Sequence, residues 1–350
     1  MYSERNRTDR FIDNWKHNPL LKTAALLAAL VIVHSSLLWF KNPGIGLIGW
    51  LRIWLDMLNG CAGVGIMSLG MMFVIICGGI DLSAGAMAAA AGAVVVLAAD
   101  AGAGGILRLA GINGTAACVI AVCAGLLFGA LGIIAGIVIA HTRIPPYIAT
   151  LGMMMIYSGF SGQAMNGASP AIPEGLGLIS RHRISGEAFL PVIYWLVLAL
   201  IFHIILKRTI FGKYVTAAGS NEKAAWIAGI GLSRLKYMVY MISGMTAAAA
   251  AVIHVSAAGS PDSADASFGY TIEAVAACVL GGARLGGGRG FISGAVMGTL
   301  IAALINNLLS FSGLSPYMSE ACKGAIVIAA VIYQRSADIL EPGINCMPDK

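Results

Sequence analysis

Between residues 22 and 334 the chain repeats one pattern: apolar stretches of 14 to 25 residues, divided by short polar or glycine-rich breaks. A hydrocarbon core about 30 Å thick takes about 20 residues of helix to cross, and the stretches are of that order. A bilayer offers no water to unpaired backbone groups, which leaves helices or a closed barrel as spanning structures. A barrel needs alternation with period two, and runs such as LLAALVIVHSSLLWF (26–40) have none. The chain therefore reads as an all-α, polytopic membrane helix bundle. Its composition agrees, with 58% apolar and 11% charged residues, against about 25% charged in soluble domains.

Hydropathy places ten spans, near residues 22–40, 60–78, 82–99, 116–140, 147–162, 190–206, 237–258, 270–283, 290–311 and 318–334. If the amino terminus is cytoplasmic, the inside segments hold sixteen Lys and Arg residues and the outside segments five: Lys41, Arg52, Arg108, Arg181 and Arg183. Cytoplasmic loops carry the excess of positive charge, so this bias predicts an even number of crossings with both termini inside. It also accounts for the net charge of +6 without a nucleic-acid partner. The organisation expected is a cytoplasmic segment over 1–21, a membrane domain over 22–334 and a cytoplasmic tail over 335–350. The first span follows a basic start and has no A-x-A-like cleavage site after it, so it reads as retained and not as a signal peptide.

Seven cysteines lie in or beside apolar runs, except Cys346 near the tail, and none forms a C-x-x-C pair. They read as small packing residues, not as a disulfide framework or a metal site. Glycines recur on one helical face at Gly125, Gly129, Gly132 and Gly136, and again at Gly290, Gly294 and Gly298. That spacing brings backbones together in lipid; packing or the lining of a conduit would both use it. No internal repeat is discernible.

The most informative polar stretch is Lys207–Lys236, expected inside. After a turn at Gly219, Ser220 or Asn221 can cap a helix, and Glu222 suits its positive end. Lys223, Ala224, Ala225 and Trp226 continue it for about two amphipathic turns, and Gly229 and Gly231 end it. A short helix held between two spans is a lever on which a partner could push; an interfacial helix lying on membrane lipid is the other reading.

Three polar residues interrupt or lead apolar runs. Asp81, within CGGIDLSAGAM (77–87), together with Ser83 either caps the third span or marks a broken helix beside a conduit or gate. Glu273 leads the eighth span, at the outer interface or in a polar contact inside the bundle. Asn166, past the fifth span, is a further conduit candidate. The stretch VLGGARLGGGRGF (279–291) lacks the Lys-Ser or Lys-Thr of a phosphate loop and reads as a cytoplasmic turn. The histidines are scattered, and no H-E-x-x-H or G-x-S-x-G occurs. The sequence therefore predicts no catalytic, cofactor or metal site on this chain.

Four segments, in order, resemble the permease subunits of bacterial ABC importers for simple sugars, the ribose and galactoside group. GGIDLSAGAM (78–87) looks like that family's GGIDLS-x-G signature, and PPYIATLGMMMIYSGF (145–160) like its P-x-x-(I/V)-x-TLG segment. FGKYVTAAGSNEKAAWIAGI (211–230) is similar to its cytoplasmic coupling loop, and GYTIEAVAACVLGGARLGGGRG (269–290) to its GYEL-x-AIAA-x-VLGG stretch. Lys223 to Gly229 also resembles the EAA-x-x-x-G pattern of importer permeases, with Lys in place of Glu. The helix after GGIDLS is alanine-rich where the family's is serine-rich.

The resemblance implies a bacterial inner-membrane location and a conduit for a sugar. It implies a periplasmic sugar-binding protein, a cytoplasmic ABC ATPase subunit that carries ATP and Mg, and a second permease chain, identical or related. Related permeases for branched-chain amino acids or nucleosides, an ion-coupled secondary transporter and an intramembrane enzyme are the alternatives.

Overall fold

A computed structural model of the chain describes residues 19–42, 44, 46–100, 106–109, 111–112, 114–165, 173–181, 183–184, 187–258 and 264–340. The elements are α1 (Pro19–Lys41), α2 (Leu47–Ile76), α3 (Ala84–Ala99), α4 (Gly114–Thr142, with a 3-10 turn over Ala130–Gly132), α5 (Pro146–Met165), α6 (Glu174–Arg181), α7 (Leu190–Arg208), α8 (Ile210–Ser220), α9 (Glu222–Ile227), α10 (Leu232–Ala258), α11 (Ala264–Leu280), α12 (Ile292–Phe311) and α13 (Pro316–Leu340). A single helical turn at Ile106–Leu109 and a two-residue antiparallel pairing of Arg183–Ile184 with Glu187–Ala188 complete the described structure.

A helix coincides with each of the ten apolar segments. By length and composition, α1, α2, α4, α7, α10 and α12 can cross a bilayer, and the chain is a multi-pass membrane bundle. Several boundaries differ from those expected, two of them instructively. The second helix begins at Leu47 rather than near 60, because Arg52, Asp56 and Asn59 lower the hydropathy of a segment whose residues are otherwise good helix formers. The last helix runs to Leu340, past the end of its apolar stretch at 334.

The bundle is organised around α2 and α10. From Cys61 to Ile76 every residue of α2 is buried, as in a helix surrounded on all sides. Its glycines face large neighbours: a Cβ on Gly65 would meet the Trp195 indole, and one on Gly70 the Thr246 hydroxyl. The alanines of α3, among them Ala86 and Ala88–Ala91, are buried between α4, α5, α10 and α11.

Both glycine faces are packing surfaces. Gly129, Gly132 and Gly136 of α4 meet the backbone of α10 at Gly244, Tyr240 and Lys236, while Gly294 and Gly298 of α12 meet Gly281 and Ala277 of the α11 end. Outward, α1, α4 and α7 expose Ile32, Leu127 and Leu200, a surface suited to acyl chains. The six cysteines among the described residues are free thiols; Cys346 lies outside them.

Candidate functional site

The segment between α7 and α10 contains two helices where the sequence predicts one. Thr209 ends α7 and starts α8, its Oγ1 accepting from the Gly212 N–H at 3.3 Å. Phe211 stacks on Phe73 of α2 with ring centroids 6.0 Å apart, and Val215 and Ala218 are buried, so α8 is bound along the end of α2. Asn221, in extended conformation, caps α9 as expected: its Oδ1 accepts from the Ala224 N–H at 2.9 Å. At the other end Gly229 is left-handed, with φ +83°. Its N–H donates to Trp226 O and that of Ile230 to Ala225 O, the paired bonds that close a helix on a glycine. Gly231 then precedes α10.

Only Ala225 of α9 is buried; Asn221, Glu222, Lys223, Ala224, Trp226 and Ile227 are exposed. Trp226 and Ile227 are 68% and 71% exposed, so two large apolar side chains face away from the bundle on a rigid turn. Glu222 reaches back to Lys236 of α10 at 2.6 Å, an exposed pair worth under about 1 kcal/mol. A cleft of about 800 Å³ separates α9 from the α4–α5 turn, with Arg143, Pro146, Trp226, Lys236 and Tyr240 in its walls.

Gly219 is not a turn. It lies in the last turn of α8, and a Cβ there would collide with the Ile76 carbonyl oxygen and approach the Gly288 amide at 2.6 Å. The Gly288 N–H itself donates to Ile76 O at 2.8 Å, and a Cβ on Gly287 would stand 2.9 Å from the Gly78 Cα. Three distant segments thus meet as bare backbone: the end of α2, the end of α8 and the α11–α12 turn. Reading glycine as punctuation hid this, because a glycine required for close approach looks the same in sequence as one required for a turn.

The GGIDLS segment is the break between α2 and α3, beginning at Gly78 with φ +89°. Asp81 is buried within it, its Oδ1 accepting from the Ser83 N–H at 2.9 Å and the Ser83 hydroxyl at 2.6 Å. Its Oδ2 accepts from Ser243 Oγ of α10 at 2.6 Å. Ser83 occupies the N-cap position without a side-chain capping bond. The buried first-turn N–H of Gly85 is satisfied instead by Thr271 of α11, at 2.8 Å. Thr150 of α5 accepts from the Leu82 N–H at 3.1 Å. The break is therefore stapled to α5, α10 and α11 at once.

Glu273 makes polar contacts inside the bundle: Asn306 of α12 donates to it at 3.2 Å, and Lys323 of α13 lies 3.4 Å away. Asn166 lies outside the described residues. The sequence reading missed Thr150, Ser243, Thr271 and Asn306, each a common residue on an apolar helix; the same helices carry other hydroxyl and amide residues, such as Ser161, Thr246 and Asn307, so nothing in the sequence singled these four out.

The profile of the family described as branched-chain amino acid transport system / permease component matches residues 53–331. The chain is 36% identical to the ribose import permease protein of Bacillus subtilis over 286 residues, covering 80% of this chain and 84% of the relative. It is 34% identical to the ribose import permease protein of Escherichia coli over 272 residues, 76% of this chain and 80% of the relative. Against the L-arabinose ABC transporter permease protein of Azospirillum brasilense the identity is 32% over 279 residues, 78% of this chain and 76% of the relative. No solved structure matches the chain.

Proposed function

The chain belongs to the branched-chain amino acid transport system / permease component family, and from that premise we propose that it is the permease subunit of an ABC importer for a simple sugar. Relatives named for ribose and L-arabinose, matched over most of both chains, support a sugar over the amino acids of the family's description. In this reading residues 22–334 form the membrane domain, crossing the inner membrane ten times with both termini in the cytoplasm. Residues 1–21 and 335–350 are then cytoplasmic, and 207–236 form the coupling loop.

A cytoplasmic ABC ATPase subunit docks on α9, a periplasmic sugar-binding protein delivers the solute, and a second permease chain, identical or related, completes the conduit. ATP and Mg are bound by the ATPase, and this chain carries no reaction of its own. The observation that carries the coupling reading is the pairing of exposed Trp226 and Ile227 on α9 with the backbone joint of Gly219 on Ile76. A push on α9 reaches the end of α2 through α8 without a flexible side chain between. Asp81 and Ser83, in the break before α3, and Glu273, on α11, border the conduit, with α3, α5 and α11 as its walls. Asn166, past α5 in sequence and outside the described residues, is a further conduit candidate.

Reconstitution decides the matter. Proteoliposomes holding the permease and its ATPase, with binding protein outside and ATP inside, should accumulate labelled sugar and keep doing so with ionophores present. Accumulation that needs an ion gradient and ignores ATP would make the chain a secondary transporter instead.

A further inference from the structure

A second cavity, of about 370 Å³, lies among α2, α10, α11 and α12, within the ~300–1,000 Å³ range of small-molecule sites. It sits away from the coupling segment: Cys61 in its wall is fifteen residues before the end of α2, about 22 Å along the helix at ~1.5 Å per residue. Its polar wall is made by His254, Tyr270, Glu273, Thr299, Asn306 and Asn307. Such a concentration is expensive at membrane depth, where an ionisable side chain ordinarily marks a pathway for a solute or ion.

The donor set is specific in kind. Glu273 offers carboxylate oxygens, and Asn306 and Asn307 offer amides that both donate and accept. Thr299 adds a hydroxyl, and the rings of His254 and Tyr270 lie 4.6 Å apart at a 34° tilt. Adjacent hydroxyls of a pyranose or furanose can donate to the carboxylate and accept from an amide, while the C–H face of the ring rests on an aromatic side chain. Among the lining residues no Lys or Arg is present, and Lys323 behind them is already paired with Glu273 and Glu320; an anionic solute, such as the carboxylate of an amino acid, finds no cation in the wall.

We propose that this cavity is a sugar subsite on the transit route, in which Asn306 and Glu273 together hold neighbouring hydroxyls and the Tyr270 ring supports the apolar face. The proposal rests on the sugar-importer reading. It goes further, in placing selectivity within the membrane as well as in the binding protein.

The test uses the assembled importer in proteoliposomes, with D-ribose, L-arabinose and D-galactose as probes, and then the monodeoxy analogues of whichever is imported fastest. Asn306→Leu should slow uptake of the parent sugar about tenfold, the loss of one strong hydrogen bond. One deoxy analogue, lacking the hydroxyl that Asn306 holds, should be slowed far less, so that its rate relative to the parent rises. Asn306→Ser, which keeps a hydroxyl in the membrane, reads the same ratio if the leucine variant does not insert. Equal slowing of parent and every analogue, as from damage to packing alone, would overturn the subsite while leaving the importer reading intact. Import of none of the three sugars by the unaltered complex would overturn that reading and the subsite with it.

Discussion

Ser243 of α10 donates to the buried carboxylate of Asp81 at 2.6 Å, joining two residues 162 positions apart across the break between α2 and α3. Leaving a buried acceptor without its donor costs roughly 1–3 kcal/mol, and Ser243→Ala removes the donor that α10 gives this oxygen. We expect S243A to lower the unfolding midpoint in detergent and to reduce uptake. Asp81→Asn should cost less in the S243A background than in the wild type, since the two residues share one interaction. Strict additivity of the two losses would refute the coupling.

Gly79 and Tyr240 form a second testable pair. The Tyr240 hydroxyl is buried without a hydrogen-bond partner among the described residues and would stand 2.5 Å from a Cβ on Gly79. Gly79→Ala should therefore destabilise by about 1–3 kcal/mol, the usual cost of overpacking. Tyr240→Phe removes both the clash and an unsatisfied polar atom, so it should be neutral or stabilising alone and should rescue G79A. Thermal melts of the three proteins check this; a Y240F that fails to rescue would mean that the clash lies elsewhere.

Gly219 and Gly229 flank α9 but should respond to alanine differently. At Gly229 a Cβ meets nothing within 4 Å, so the cost is the left-handed backbone alone, about 1–2 kcal/mol, and Gly229→Asn should recover part of it. Gly219→Ala forces α8 away from Ile76 O. Neither backbone permissiveness nor Asn can relieve that, and loss of folded protein or of ATPase coupling should be severe. Uptake and yield in membranes separate the two cases.

Trp226 and Ile227 project from α9 without burying against the bundle. Replacing both by Ser should leave the unfolding midpoint of the isolated permease unchanged within about 0.5 kcal/mol, as for other surface changes. Co-purification of the ATPase and sugar-stimulated hydrolysis should be lost. Full retention of both activities would remove α9 as the docking element.

The helices were legible because lipid imposes one rule, long apolar runs, and each run coincides with a helix. What connects them was less legible. The segment IFGKYVTAAGS (210–220) is a helix that hydropathy passes over, because it is short and only one face, Gly212, Val215 and Ala218, is buried while Lys213 and Thr216 are exposed. The Asn221 cap and the Gly229 stop were readable from local chemistry, which acts over three or four residues. Ser243 on Asp81, Thr271 on Gly85 and Asn306 on Glu273 were not, since each partner is set by helix packing between residues far apart in sequence. For Asp81 the local reading, a helix cap, gave way to a tertiary role: its carboxylate bridges Ser83 of the break and Ser243 of α10.

The joint formed by Gly219, Gly288 and Ile76 is made of main chain, while the residues that face outward on α9 are side chains from a separate stretch, 222–227. Attachment and transmission are thus written in different alphabets. If α9 is the docking element, the permease can be matched to a different motor by exchanging a handful of exposed side chains, with the backbone joint untouched.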